Sequence, residues 1–147
     1  METKKIKKVF KEGAISSTFI ADSIQKHSHK TNIGAHNIFL GQVRDDVIDG
    51  KEVMAIDYTA AQEIAELEFH RIREAAFEKY DLTCMHIYHS LGVVKQGEIC
   101  LFVFVSSAHR KVTFEALEFL VEEIKATVPI FGKELFDDGS HQWKVNK

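Results

Sequence analysis

The stretch EICLFVFVSSAHRKVTFEA, Glu98 to Ala116, decides the fold. Its apolar run from Ile99 to Val105 has β-branched and aromatic residues and no polar alternation, which predicts a strand covered on both faces. Two serines end that run, and a helical pattern begins at once and continues from about His109 to Thr127, with Leu117, Leu120, Val121 and Ile124 on one stripe. Pro129, the single proline, stops it.

Outward from this unit, GAHNIFLGQVR and EVMAIDYT read as strands joined across DDVIDGK, whose Asp-Gly pair is turn chemistry. AAQEIAELEFHRIREAAFEKY reads as a long helix with Ile64, Leu67, Ile72, Ala75 and Ala76 on its apolar side. LTCMHIYHS is a further strand, LGVVKQG reads as a turn, and SSTFIADSIQ opens with hydroxyl residues suited to capping a short helix. Strands and two long helices alternate without a glycine fingerprint for dinucleotides, so the expected class is α+β.

Bulk properties narrow the function. At 147 residues the chain is expected to form one domain, with residues 1–6 as a loose N-terminus. A net charge of −3 gives no general attraction to nucleic acid, so any anion site must be local. No apolar segment is long enough to span a membrane and no signal peptide is visible, so the expected location is cytoplasmic. Cys84 and Cys100 sit apart in apolar runs and read as buried reduced thiols. The eight histidines lack metal-ligand spacing, and no metal site is expected.

Three places could carry chemistry. The helix start at His109, Arg110 and Lys111 combines free backbone N–H groups with cations that oppose the helix dipole, an arrangement an anionic ligand would favour. A solvated basic helix start capped by Ser107 is the competing reading, and composition leaves the two open. Arg44, at the end of FLGQVR, has the guanidinium suited to phosphate or carboxylate. Lys125 adjoins the apolar stripe sixteen residues beyond His109, so one helix cannot bring both to one small ligand side by side. Partial burial would lower its pKa; a lysine snorkelling at the helix end is the bland alternative.

Taken together, FLGQVR, HSLGVVKQGE, VSSAHR, EEIKATVPIFGKE and DDGSHQW occur in an order that resembles the large, catalytic subunits of molybdopterin synthase, the MoaE family. The resemblance runs from about Gly34 to Trp143. It implies an α/β hammerhead-like fold with an additional antiparallel sheet. The implied activity is sulfur transfer from the thiocarboxylated C-terminal Gly-Gly tail of a small ubiquitin-like subunit to cyclic pyranopterin monophosphate, making the molybdopterin dithiolene. It also implies a homodimer within a heterotetramer, and neither a cofactor nor a metal at this step.

By the same resemblance, Gln42, Val43 and Arg44 fall on a substrate-binding stretch, His109 and Arg110 on a phosphate-binding pair, and Lys125 on a catalytic lysine. Gly132 and Glu134 fall on the substrate-binding segment after the proline. Two departures stand out. Ser90 occupies the place of an arginine in the family's H-R-x-G, and Gly132 the place of its second lysine, with Lys133 one residue later. A bulge or a positive φ at Gly132 would turn Lys133 back to the site as the second catalytic lysine. A catalytically weakened homologue that serves as a partner-binding scaffold is the alternative, and a small phosphoester-binding module is a third reading.

Overall fold

The computed structural model of the chain describes residues 6–145. In chain order the elements are β1 (Phe10–Glu12), α1 (Ser17–Gln25), β2 (Ala35–Gln42), β3 (Val47–Ile48), β4 (Lys51–Ala60) and α2 (Gln62–Lys79). Then follow β5 (Cys84–Lys95), β6 (Ile99–Ser107), α3 (Arg110–Thr127), β7 (Ile130–Phe136) and β8 (His141–Trp143). The strands make one continuous sheet ordered β2-β6-β5-β4-β7-β8, with β1 added parallel to β5 and β3 antiparallel to β4. The expected α+β class is the observed one. The expected loose N-terminus lies, apart from Ile6, outside the described residues.

β6 has the two-sided cover that its composition predicts. Leu101, Val103 and Val105 enter the main core beside Phe69, Ile72, Leu120 and Ile124 of the two long helices. Phe102 and Phe104 face the other way and meet Phe19 and Ile20 of α1. Phe19 stands edge-on to Tyr88 at 4.9 Å, and the start of α1 is closed by Ser16, whose hydroxyl accepts from the Phe19 N–H at 3.1 Å.

β5 departs from expectation. LGVVK continues the strand instead of turning, and the turn comes at Gln96–Gly97. Up to His89 the strand pairs with β6; from Gly92 to Lys95 it pairs with β4. Gly92 makes that handover with a φ of 83°, where a side chain would also collide with the Glu12 carboxylate. One strand thus links the sheet under the helices to the added sheet of β4, β7 and β8.

α2 is rotated from its predicted orientation. Ala65, Phe69, Ile72 and Ala76 are buried, whereas Ile64 and Leu67 are exposed. Phe69 explains the difference: its ring needs the core and packs edge-on to Phe10 at 5.9 Å, which turns Ile64 and Leu67 outward. α3 buries Thr113, Ala116, Leu120 and Ile124, while Leu117 and Val121 flank the core half-buried. Its N-cap is His109, and no side chain caps it. Ser107 instead donates its hydroxyl to the Asp81 carbonyl at 2.8 Å, which corrects the capping role expected of it.

Candidate functional site

α3 ends where Pro129 forbids its continuation, and β7 leaves directly to pair with β4. The corner between helix end and sheet encloses a cavity of about 430 Å³, walled by Lys125, Tyr58, His89, Gly132, Trp143 and Lys144 among others. Lys125 is in the last helical turn and keeps an exposed surface, because the cavity opens to solvent. The surrounding walls nevertheless hold its amine below the usual lysine range. Desolvation is the main cause, the Cys100 thiol opposes it, and the Lys144 charge adds to it.

His89 is buried at the cavity wall with its Nδ1 2.8 Å from the Ser90 carbonyl, so Nδ1 carries the proton as donor. Burial pushes its pKa down to about 4, which keeps the ring neutral near pH 7. Its ring meets Tyr58 edge-on at 5.1 Å. The Tyr58 hydroxyl donates to Cys100 Sγ at 3.4 Å, and that thiol donates to the Gly41 carbonyl at 3.4 Å. Burial raises the Tyr58 phenol above its usual range, with the Cys100 sulfur contributing. A buried polar chain therefore connects the cavity to the end of β2.

The residues expected from the sequence are divided among several places. Gly132 joins Lys125 in the cavity. Gln42, Val43 and Arg44 border a second hollow of about 330 Å³. Val43 is buried there and clamped by backbone bonds to Glu98 and Gly97, while Arg44 is exposed and paired with Asp46 at 3.1 Å. His109 and Arg110 are exposed at the far end of α3 and border neither hollow. Fifteen helical residues put Arg110 about 22 Å from Lys125 along the axis.

Glu134 is buried behind the cavity and accepts from Gln142 at 3.1 Å. The expected reorientation at Gly132 does not occur. β7 runs in regular register there, Gly132 opposite Tyr58 and Lys133 opposite Asp57, and Gly132 has no positive φ among the described residues. Consecutive strand residues face opposite ways, so Lys133 is turned from the face that Gly132 presents. Its amine lies instead over Trp143, 5.3 Å from the ring centroid.

Tyr58, His89 and Lys144 escaped the sequence reading as site residues. His89 stands within the quoted HSLG motif and could have been found there. Tyr58 and Lys144 reach the cavity only through strand pairing. Ser90, at the missing arginine's position, is fully buried with its hydroxyl unpartnered, and does not border the cavity.

Fold and site together define a small α+β protein whose sheet and helix end enclose an amine-bearing cleft. The family model described as MoaE protein matches residues 14–127. The molybdopterin synthase catalytic subunit of Bos taurus is 35% identical over 114 residues, covering 78% of this chain and 60% of the relative. The chain thus spans about three fifths of that relative's length. The crystal structure of molybdopterin synthase from Staphylococcus aureus superposes with a TM-score of 0.81 at 28% identity, over 93% of this chain and 96% of that one. A protein–protein complex of subunits 1 and 2 of molybdopterin-converting factor from Helicobacter pylori has a chain with the same fold. Its TM-score is 0.80 at 20% identity, with 95% and 90% covered. The chain belongs to the MoaE family.

Proposed function

We propose that this chain is the catalytic subunit of a molybdopterin synthase and works as a sulfurtransferase in molybdenum cofactor biosynthesis. It moves sulfur from the thiocarboxylated C-terminal glycine of a small ubiquitin-like carrier to cyclic pyranopterin monophosphate. The observation that carries this reading is the Lys125 amine, depressed by partial burial and open to a cavity of about 430 Å³, in a chain of the MoaE family. The carrier's tail enters that cavity. Its thiocarboxylate sulfur attacks a side-chain carbon of the cyclic precursor, forming a C–S bond and a thioester as that carbon's C–O bond breaks and the oxygen leaves. Water then adds to the acyl carbon, the acyl C–S bond breaks, the sulfur stays on the pterin, and the carrier leaves as a carboxylate; a second carrier delivers the second sulfur in the same way. Lys125 moves the proton at the attack step, and cations in the cavity stabilise the tetrahedral oxyanion.

The phosphate end of the pterin falls to Arg110 and His109; Arg44 borders the second hollow, at the other end of β2. A small pterin cannot reach along α3 from Lys125 to Arg110. A homodimer in which a second copy supplies the His109–Arg110 end removes that difficulty, and one carrier on each copy makes a heterotetramer. The Helicobacter pylori complex of two subunits agrees with a carrier partner. Among the described residues no helix is long and apolar enough to cross a membrane.

The test is incubation with thiocarboxylated carrier and cyclic precursor. Dithiolene product is expected, with the carrier returned as carboxylate. A tight complex that makes no product would instead support the scaffold reading, which the side-chain-free Gly132 and the averted Lys133 favour.

A further inference from the structure

The cavity contains a second amine that neither composition nor motif order singled out. β8 pairs with β7 from His141 to Trp143, and the next residue continues that contact: the Lys144 N–H donates to the Gly132 carbonyl at 2.7 Å. That bond fixes Lys144 beside Gly132. A Cβ built on Gly132 would lie 3.7 Å from the Lys144 Cβ, so the two positions present their side chains to the same space. The same Cβ would lie 3.0 Å from Ile56 Cγ2 and 3.4 Å from Tyr58 Cε1, so the glycine forms a close-packed wall beside Lys144 that carries no side chain of its own. Lys144 is half-buried although Gln142, Trp143 and Val145 around it are exposed.

Charge balance sharpens the point. Among the described residues that line the cavity, Lys125 and Lys144 are cations and His89 and Tyr58 neutral rings; the buried Glu134 carboxylate acts on Tyr58 from behind that wall and accepts a hydrogen bond from Gln142. Two ammonium groups facing one hollow repel each other and are desolvated together, an arrangement an anion entering the hollow would relieve. Lys133 does not compete for this place, since it stands on the opposite face over Trp143.

We propose that Lys144, held beside Gly132, supplies the second ammonium of the cavity that Lys125 borders, and binds the oxyanion of the acyl group seated there. Its part in turnover rests on the sulfur-transfer reading above; its place in that cavity does not. The groups that face the Lys125 amine from the packed elements are Cys100 of β6, Tyr58 of β4, His89 of β5 and Lys144 beyond β8. Lys144 is the cation among them.

The experiment uses the full chain and two readouts. In the first, lysines are reductively methylated with labelled formaldehyde and the Lys125 signal is titrated by NMR. Lys144→Ala is expected to move the Lys125 titration upward, toward that of a free lysine, and Lys144→Arg to keep it low. An unchanged titration in Lys144→Ala, or an equal rise in Lys133→Ala, overturns the proposal. In the second, turnover is followed with thiocarboxylated carrier and cyclic precursor. Lys144→Ala is expected to lose on the order of tenfold or more, with recovery in Lys144→Arg. Full turnover in Lys144→Ala overturns the role in binding the oxyanion. A wild-type chain that shows the titration shift between variants yet makes no product supports the paired amines and overturns the sulfur-transfer reading alone.

Discussion

Lys125 combines three properties rarely found in one surface lysine: a helix-end position, a partly desolvated amine and a cavity in front of it. Because the folded protein lowers its pKa, the neutral amine becomes available below the pH at which a free lysine would supply it. The rate of carrier-dependent turnover should therefore rise with pH and level off below 10.5, and Lys125→Ala should lower it by about 100-fold or more while the carrier still binds. A steady-state pH profile and a binding titration measure the two halves of this expectation. His89 sets an acid limit. Its pKa is about 4 in the fold against 6.5 when free, so the unfolded chain takes up the proton first as pH falls. The stability that neutral His89 contributes is complete above pH 6.5 and is lost as pH drops toward 4, on the order of 3 kcal/mol in all. Thermal midpoints across that window should fall steeply, and His89→Gln should make the slope shallower. Helix periodicity and the proline stop made the helix-end position of Lys125 legible in the sequence, whereas a catalytic role for it came only from the family resemblance. Lys144 was not legible, since a residue past a three-residue strand has no periodicity and reaches the cavity only by pairing with Gly132.

At the scale of elements, the decisive contact lies where β2 begins beside the entrance to α3. The Gly34 N–H donates to the Ser107 carbonyl at 3.0 Å, and a Cβ on Gly34 would strike the Ala108 carbonyl oxygen. Backbone cannot yield as a flexible side chain can. Gly34→Ala is thus expected to cost about 1–3 kcal/mol in denaturant unfolding and to disturb the His109–Arg110 corner before it disturbs Lys125. The β6–α3 unit was readable from composition, because a strand buried on both faces has no polar alternation to confuse it. Two other elements were harder. In α2 the exposed Ile64 and Leu67 mimic a core stripe, and only the ring of Phe69, packed on Phe10, settles which face turns inward. In β5 the LGVVK segment resembles a turn because Gly92 breaks the local pattern, although its positive φ serves to pass the strand from one partner to another.

On the scale of the whole molecule, α3 holds two sets of basic residues apart. Arg110 at its basic start and Lys125 near its end are fifteen helical residues apart, so a single copy presents them as separate surfaces. If a second copy unites them, Arg110→Ala and Lys125→Ala chains are each inactive alone, and mixing them after dissociation should restore turnover that neither has. No recovery on mixing, with dimers confirmed by light scattering, would place both ends of the site within one copy. The sheet also governs how the molecule comes apart. Because β5 pairs with β6 through its first half and with β4 through its second, the two pairings share one strand, and loss of that strand disrupts both. Amides along β5 from Tyr88 to Lys95 should therefore exchange with deuterated water only through complete unfolding, at one shared rate, and protease should find no stable half-molecule to leave behind.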